Sequence, residues 1–394
     1  AVAQLRILAE LTDLTGATPP PPRMFVTDTL SNPYVDEDWI PGILGTIAQS
    51  RKEANKIKKL EPITVVLGNP PYKEKAKGLG GWVETDIENS PEPAPLNAWI
   101  PTADWGVSAH AKHLRNLYVY FWRWATWKVF DHHPEANTGI VCFITVAGFL
   151  NGPGFQRMRD YLRRTAEEIW VIDCSPEGHQ PEVNTRIFEG VQQPVCIVLA
   201  SRPKGTTSDT PARVRFRALP TGIRTAKFEA LSRIMLDDAG WEDCPTEWRA
   251  PFLPAATGAW STYPALTDLF IYNGSGVMPG RTWIIAPDAK SLVKRWQRLI
   301  DASDGDKEVL FHPHLRGGKP GDKHVHKLVK NALPGYQARL ITVANDRQPC
   351  APPIRYGFRS FDRQWIIPDN RLINQPNPQL CKTHSTSQLY FTPL

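Results

Sequence analysis

The 394-residue sequence is short of cysteine: six residues, at 142, 174, 196, 244, 350 and 381, none in a CxxC pair. That spacing excludes a disulfide-framed scaffold and a zinc ribbon, which need closely spaced cysteines. No apolar run reaches the ~18–20 residues of a membrane span, so a cytoplasmic protein without membrane contact is the expectation. No GxxxxGKS/T occurs, and Pro287-Asp288 has no acidic-x-Lys partner at suitable spacing, which removes a nucleotide-driven motor and a nuclease from these residues. Internal repeats and low-complexity tracts are also missing. Neither sign of charge dominates: 46 Lys and Arg against 40 Asp and Glu leave a net charge of +6, a mild preference for anionic partners.

Proline and tryptophan are abundant. The 37 prolines exceed the usual ~5% and promise many loops, and 14 tryptophans mark a globular chain with a sizeable core. Residues 1–14 carry Val2, Leu5, Leu8, Leu11 and Leu14 at three-residue steps, with Gly16 as a stop, which predicts a helix with one buried face. The chain opens inside this pattern, so a piece of a longer polypeptide is expected. Met24-Phe25-Val26 reads as a strand with Asp28 at its carboxyl end. A basic helix then leads to Ile63-Thr64-Val65-Val66-Leu67-Gly68, an uncharged β-branched run of the kind found buried in parallel sheets. After some forty loop residues, an aromatic-rich helix over 112–130 should be buried on more than one side. Strands over 139–145, 169–173 and 195–200, with a helix over 155–166, complete an α/β alternation and predict a doubly wound sheet.

The sharpest motif follows the 63–68 strand: Asn69-Pro70-Pro71-Tyr72. At residue frequencies of roughly 4–7%, Asn-Pro-Pro-Tyr/Phe arises by chance in well under ~1% of chains this long. Ligand sites of open α/β sheets lie at the carboxyl ends of strands. The motif suits alkylation of an exocyclic amino group, whose lone pair is conjugated with its ring until two acceptors hold both hydrogens. Asn69 offers a side-chain carbonyl and Pro70 a backbone carbonyl. The paired prolines fix φ near −65° and bring no competing N–H, and Tyr72 can stack on the ring. The alternatives are a Pro-Pro turn that only closes a strand, or an exposed NPxY interaction peptide.

These residues resemble the amino-group methyltransferases that use S-adenosylmethionine, in particular adenine-N6 DNA methyltransferases, with Asn69, Pro70, Pro71 and Tyr72 as the catalytic motif. The resemblance implies a Rossmann-like methyltransferase sheet of which this chain holds the carboxyl part, without the glycine-rich loop that holds the cofactor's methionine end. It makes Asp28 the acidic residue at the cofactor's adenine, though an Asp there fits a turn cap equally. Phe188, in Arg186-Ile187-Phe188-Glu189-Gly190, would stack on the flipped base from the side opposite Tyr72. Residues 354–365 (Ile354-Arg355-Tyr356-Gly357-Phe358-Arg359 and onward) resemble a carboxyl-terminal segment of type ISP restriction–modification enzymes, which implies double-stranded DNA as partner and possible nuclease and helicase domains upstream.

The polar break at 201–211 predicts a boundary: residues 1–204 as the methyltransferase part, and residues 205–394 as an α+β target-recognition domain. In the latter Arg316, Lys319, Lys323, Lys327, Lys330, Arg339, Arg347, Arg355, Arg359, Arg363 and Arg371 outnumber the acidic residues, with Tyr356, Phe358 and Trp365 interleaved. That is the composition of a phosphate-contacting face, or of a solvated basic surface. Arg316, Lys319, Arg355, Arg359 and Arg363 are the substrate-binding candidates, with Gly317-Gly318 allowing close approach of a phosphate. His312, His314, His324 and His326 are spaced for a metal, but the intervening cations argue against one, and no metal is expected. The function expected is site-specific adenine-N6 methylation of DNA. The alternatives are a non-catalytic DNA-recognition module with a methylase remnant, or an amino-group methyltransferase acting on RNA or protein.

Overall fold

The computed structural model describes residues 2–35, 43–86, 92–132, 138–178, 185–203, 209–264, 266–272, 274–311, 315–316, 319–320, 323–359, 362–385, 387 and 390. They fall into two compact units, Ala1–Ser261 and Thr262–Leu394.

The first unit contains helices α1 (Val2–Thr15) and α2 (Ile43–Leu60), strand β1 (Val65–Gly68), helix α3 (Leu117–Thr126), strand β2 (Gly139–Val146), helix α4 (Gln156–Thr165), strands β3 (Glu168–Asp173), β4 (Val195–Arg202) and β5 (Arg213–Ala218), helix α5 (Arg224–Leu231) and the short strand β6 (Glu242–Asp243). The six strands form one sheet in the order β1-β2-β4-β3-β5-β6. The sheet is mixed: β1 runs parallel to β2 and β3 to β5, while β4 lies antiparallel to both β2 and β3 and β6 antiparallel to β5. A right-handed crossover makes parallel neighbours, but β4 enters from a loop that reverses the chain, so alternation of strands and helices alone could not give its direction.

Four expectations differ from the structure. No strand forms at Met24–Val26: the segment is irregular, and Met24 and Val26 are exposed. β1 is not buried: Val65 and Leu67 are exposed, 49% and 71%, because β1 is the sheet's outermost strand among the described residues. α1 forms as expected, but no residue along it is buried: Leu8 and Leu11 are half-buried, and Val2, Leu5 and Leu14 are exposed. The unit also extends past 204. Val214 and Phe216 of β5 alternate with Arg213, Arg215 and Arg217, and β5 pairs with β3 over six positions, so the polar break interrupts the sheet without ending it.

One sheet face carries the main core. Val141 and Phe143 of β2 meet α3, where Tyr118, Val119, Tyr120, Trp122 and Trp124 are all buried, as the crowding of aromatics demanded. The Trp122 and Phe143 rings meet edge to face at 5.0 Å. The long loop between β1 and α3 is part of this core: Ala76, Trp82, Val83, Leu96 and Trp99 are buried. Among the described residues no helix is long and apolar enough to cross a membrane, and all six cysteines are unpaired.

The second unit adds α6 (Leu266–Leu269), β7 (Ile285–Ala286), α7 (Ala289–Asp301), α8 (Asp304–Phe311), the two-residue strands β8 (Leu315–Arg316) and β9 (Lys319–Pro320), the hairpin β10 (Ile354–Arg359) and β11 (Asp362–Ile366), and α9 (Pro378–Thr383). β10, β11 and β7 form an antiparallel sheet in that order. Its core gathers Ile284, Leu292, Trp296, Phe311, Val343 and Ile367.

Gly139, at the start of β2, tests the packing. A Cβ there would stand 2.2 Å from Val129 Cγ1 and 2.8 Å from the Thr64 carbonyl oxygen. Gly139→Ala should therefore destabilise the first unit by about 1–3 kcal/mol, the usual cost of overpacking. A urea melt followed by tryptophan fluorescence measures this, and an unchanged midpoint would mean that the β1–β2 junction yields freely.

Candidate functional site

The direction of β1 delivers residues 69–72 to the edge of the sheet where β2 and β3 also end and β4 begins. Asn69 is exposed, Pro70 buried and Tyr72 half-buried. The Tyr72 hydroxyl donates to Asn69 Oδ1 at 2.6 Å. Burial, assisted by the neighbouring Cys196 and Cys174 thiols, pushes the Tyr72 phenol up to about 12 against the opposing effect of the Asn69 bond, so the ring stays a neutral donor. Phe188 does stand opposite Tyr72, with centroids 6.4 Å apart and planes at 47°. The distance is that of two rings in mutual contact, so the pair is closed on itself and a third ring enters only when they part. Cys174, Ile187, Val195 and Leu219 form the apolar floor.

Two residues that hold this arrangement carry no motif signal. Asn116 is buried, and its side-chain oxygen accepts from the Lys75 backbone N–H at 3.0 Å, where Lys75 adopts a left-handed φ of 52°. Flanking bonds from Leu117 N to the Lys73 carbonyl and from Ala76 N to the Arg115 carbonyl bind the chain after Tyr72 to the start of α3. On the other side Arg186, 4% exposed, clamps the Phe188 loop by donating from Nη2 to the carbonyls of Gly178 and Gln192. Only a contact between distant segments reveals such roles.

Asp28 is exposed, and its Oδ1 accepts from the Leu30 backbone N–H at 2.9 Å, which caps its own turn.

In the second unit two groups of basic residues differ in their surroundings. In the β10–β11 hairpin Arg355 lies directly across from Trp365 and Gly357 across from Arg363, so Arg355, Trp365 and Arg363 share one face. The Arg355 guanidinium lies 4.7 Å from the Trp365 ring, and both arginines are exposed. Tyr356 and Phe358 alternate to the opposite side, where they pack on the core, and the Tyr356 hydroxyl donates to the Val277 carbonyl at 2.9 Å. They are therefore not interleaved with the arginines. The backbones of Arg316 and Lys319 pair across β8 and β9, and that of Arg359 ends β10. The side chains of these three, and Gly317-Gly318, lie outside the described residues.

The second group is consumed internally. Arg371 is buried and bonds Asp369 and Asp346, Arg339 pairs with Asp346 at 3.1 Å, and Arg347 donates to the carbonyls of Ala344 and Asp346. Lys323 donates to Asn370 Oδ1 and the Ile373 carbonyl at 2.7 Å, with burial pushing it down to about 8. Arg339, Arg371 and Lys323 therefore hold the unit together and leave the candidate phosphate face, whereas Arg347, Lys327 and Lys330 are exposed. Of the four histidines, His312 and His314 lie outside the described residues, and His326 bonds Glu308 at 3.2 Å. Among the described residues no group of three His, Cys, Asp or Glu is placed to hold a metal.

Burial alone would raise the Asp346 carboxyl, but the Gln348 N–H and the Arg371 and Arg339 guanidinia outweigh it and hold the group below the usual range. Its contribution to stability is thus complete above the ordinary aspartate value of ~3.9 and fades as pH falls through the lower folded value. Asp346→Asn should cost about 1–3 kcal/mol at pH 7, since Arg339 loses its carboxylate partner while Arg371 keeps Asp369, and should make the acid limb of the stability curve shallower. Equilibrium unfolding of the two proteins between pH 7 and pH 2 measures both effects.

No curated protein matches the chain. Among solved structures it is similar to a DrdV–DNA complex determined by cryo-electron microscopy (16% identity, 95% of this chain and 37% of that chain, TM-score 0.49). It is similar also to the ATP-dependent Type ISP restriction-modification enzyme LlaBIII bound to DNA (16% identity, 95% and 24%, TM-score 0.49). A third is a nuclease-deletion mutant of the Type ISP restriction-modification enzyme LlaGI with a DNA substrate mimic (15% identity, 95% and 31%, TM-score 0.49). The chain thus spans between 24% and 37% of the length of these structures. Residues 268–393, most of the second unit, match the family model of the Type ISP C-terminal specificity domain.

Proposed function

We propose that residues 262–394 recognise double-stranded DNA as the specificity part of a Type ISP-like restriction–modification enzyme. The observation that carries this reading is the family match over residues 268–393. The hairpin face supports it: the Arg355 guanidinium lies over Trp365 on the same face as the exposed Arg363, and a guanidinium already held in place loses little freedom on meeting a phosphate or a guanine edge. Nuclease and helicase chemistry, if the enzyme has them, belongs in this proposal to other parts of a longer chain.

A second reading rests on residues 69–72: adenine-N6 methylation of the recognised DNA. Asn69 Oδ1 and the Pro70 carbonyl would accept the two hydrogens of the target amino group, and Tyr72 and Phe188 would part to enclose the flipped base. An incoming amino hydrogen displaces the Tyr72 hydroxyl from Asn69 Oδ1, an exchange of one hydrogen bond for another and so nearly balanced in free energy. S-adenosylmethionine is the donor in this reading, but the residue assigned to it in this chain does not fit. No strand leads to Asp28, and one carboxylate oxygen is spent on its own turn. The reading therefore gives this chain the holding of the base and assigns it no step at the cofactor.

The test uses the full-length protein. Asn69→Ala should abolish methyl transfer to adenine-containing duplex DNA and leave duplex affinity within a few-fold, whereas Tyr72→Phe, which keeps the ring and loses only the hydroxyl, should retain transfer within about tenfold. Transfer that survives Asn69→Ala sinks the assignment. A wild type that binds duplex without methylating it leaves the recognition module alone standing. Transfer to RNA or protein but not DNA changes the substrate.

A further inference from the structure

Beside the exposed Arg355 and Arg363 of the hairpin, the second unit presents a row of cations where no motif pointed. α7 buries Leu292, Trp296, Leu299 and Ile300 and turns Lys290, Lys294 and Arg298 to solvent. Steps of four residues put the three on one helical face, about 6 Å apart along the axis and about 12 Å end to end. None of them forms an ion pair among the described residues. The nearby acids take their hydrogen bonds from other groups, and the Asp288 carboxylate also feels the charge of Lys290. Asp288 caps α7 through Ser291, Asp301 receives both bonds of Gln297 Nε2, Asp304 pairs with Lys307, Asp306 accepts from Ser303 and Glu308 meets His326.

Helix stability does not explain this stripe. Like charges at i,i+4 repel, here twice over, and Lys290 stands in the first turn against the positive end of the helix dipole. A helix evolved only for solubility would alternate signs on its outer face. An arrangement that the folded unit tolerates at a small cost is accounted for by a regularly charged anion outside it.

We infer that the Lys290–Lys294–Arg298 face of α7 is a docking surface for the phosphate backbone of duplex DNA. The inference rests on the DNA-recognition reading and adds to the Arg355–Arg363 hairpin a second, sequence-independent contact. One duplex strand offers a phosphate every ~3.4 Å along its axis, so three cations over about 12 Å meet a run of three or four phosphates without needing any base. Such contacts fix register and carry no sequence information.

The experiment is a salt titration of duplex binding by the intact protein and by Lys290→Gln/Lys294→Gln/Arg298→Gln. Each lost phosphate contact should flatten the plot of log affinity against log salt by ~0.9, so the triple variant should lose between about 2 and 3 from the slope, equally on unrelated duplexes. Lys294→Gln alone should lose about 0.9, which keeps the test valid if the triple variant misfolds, and Lys382→Gln, an exposed cation of α9, should lose nothing. If wild type binds duplex and the α7 variants keep its slope, the docking surface is wrong and the recognition reading stands. A wild type without duplex affinity overturns the recognition reading and this inference together.

Discussion

Buried cation–carbonyl bonds underlie both units. A chain with 37 prolines has that many residues without a backbone N–H, and its loops expose carbonyls that no neighbouring amide can satisfy. Arginine and lysine supply the missing donors. Arg123 donates to the Pro95 carbonyl, Arg163 to that of Pro245 and Arg159 to those of Phe149 and Gly152, while Lys128 reaches the carbonyl of Lys58 and Lys227 that of Cys174. In the second unit Arg281 donates to the carbonyls of Phe311, Leu372 and Lys323. Burial lowers Arg159 and Arg281 to about 10, still far above neutrality, so they remain charged and keep their full set of donors. Much of the positive charge in this sequence is therefore structural.

Within the first unit, β4 converts that framework into a site. Its antiparallel ladder covers all eight residues of β2 and all six of β3, which brings Val195 level with Val146 and Cys174 beside Val195. The apolar floor under Tyr72 and Phe188 is the result. Residues separated by more than a hundred positions in the chain meet there because one strand runs backwards between two others.

How much of this was legible in the sequence depended on range. β2, β3, β4 and α4 announce themselves by uncharged or amphipathic runs, and α3 by its aromatics. Asn69, Pro70, Pro71 and Tyr72 could be named as candidates because the motif is contiguous, and the Phe188 ring lies 6.4 Å from that of Tyr72. What the sequence hid needed partners from far away. The mixed direction of the sheet depends on β4. The continuation to Ser261 depends on β5, whose alternating arginines look like loop until β3 accepts them. The basic region of the second unit was misread because composition cannot tell a buried Arg371 between two aspartates from an exposed Arg363. The same blindness passed over α7, where three cations in a modest helix look unremarkable until their neighbours are accounted for. The strand read from Met24-Phe25-Val26, with Asp28 at its end, is absent because the segment pairs with no strand among the described residues.

Along the outer edge formed by β1, Val65 and Leu67 present exposed apolar side chains on a short strand whose free backbone groups face outward among the described residues. Natural sheets usually guard such an edge with a lysine, a proline or a bulge, and β1 has none of these between Val65 and Gly68. An edge of this kind is a template onto which a further strand can add, and in this sheet the place for one is next to β1.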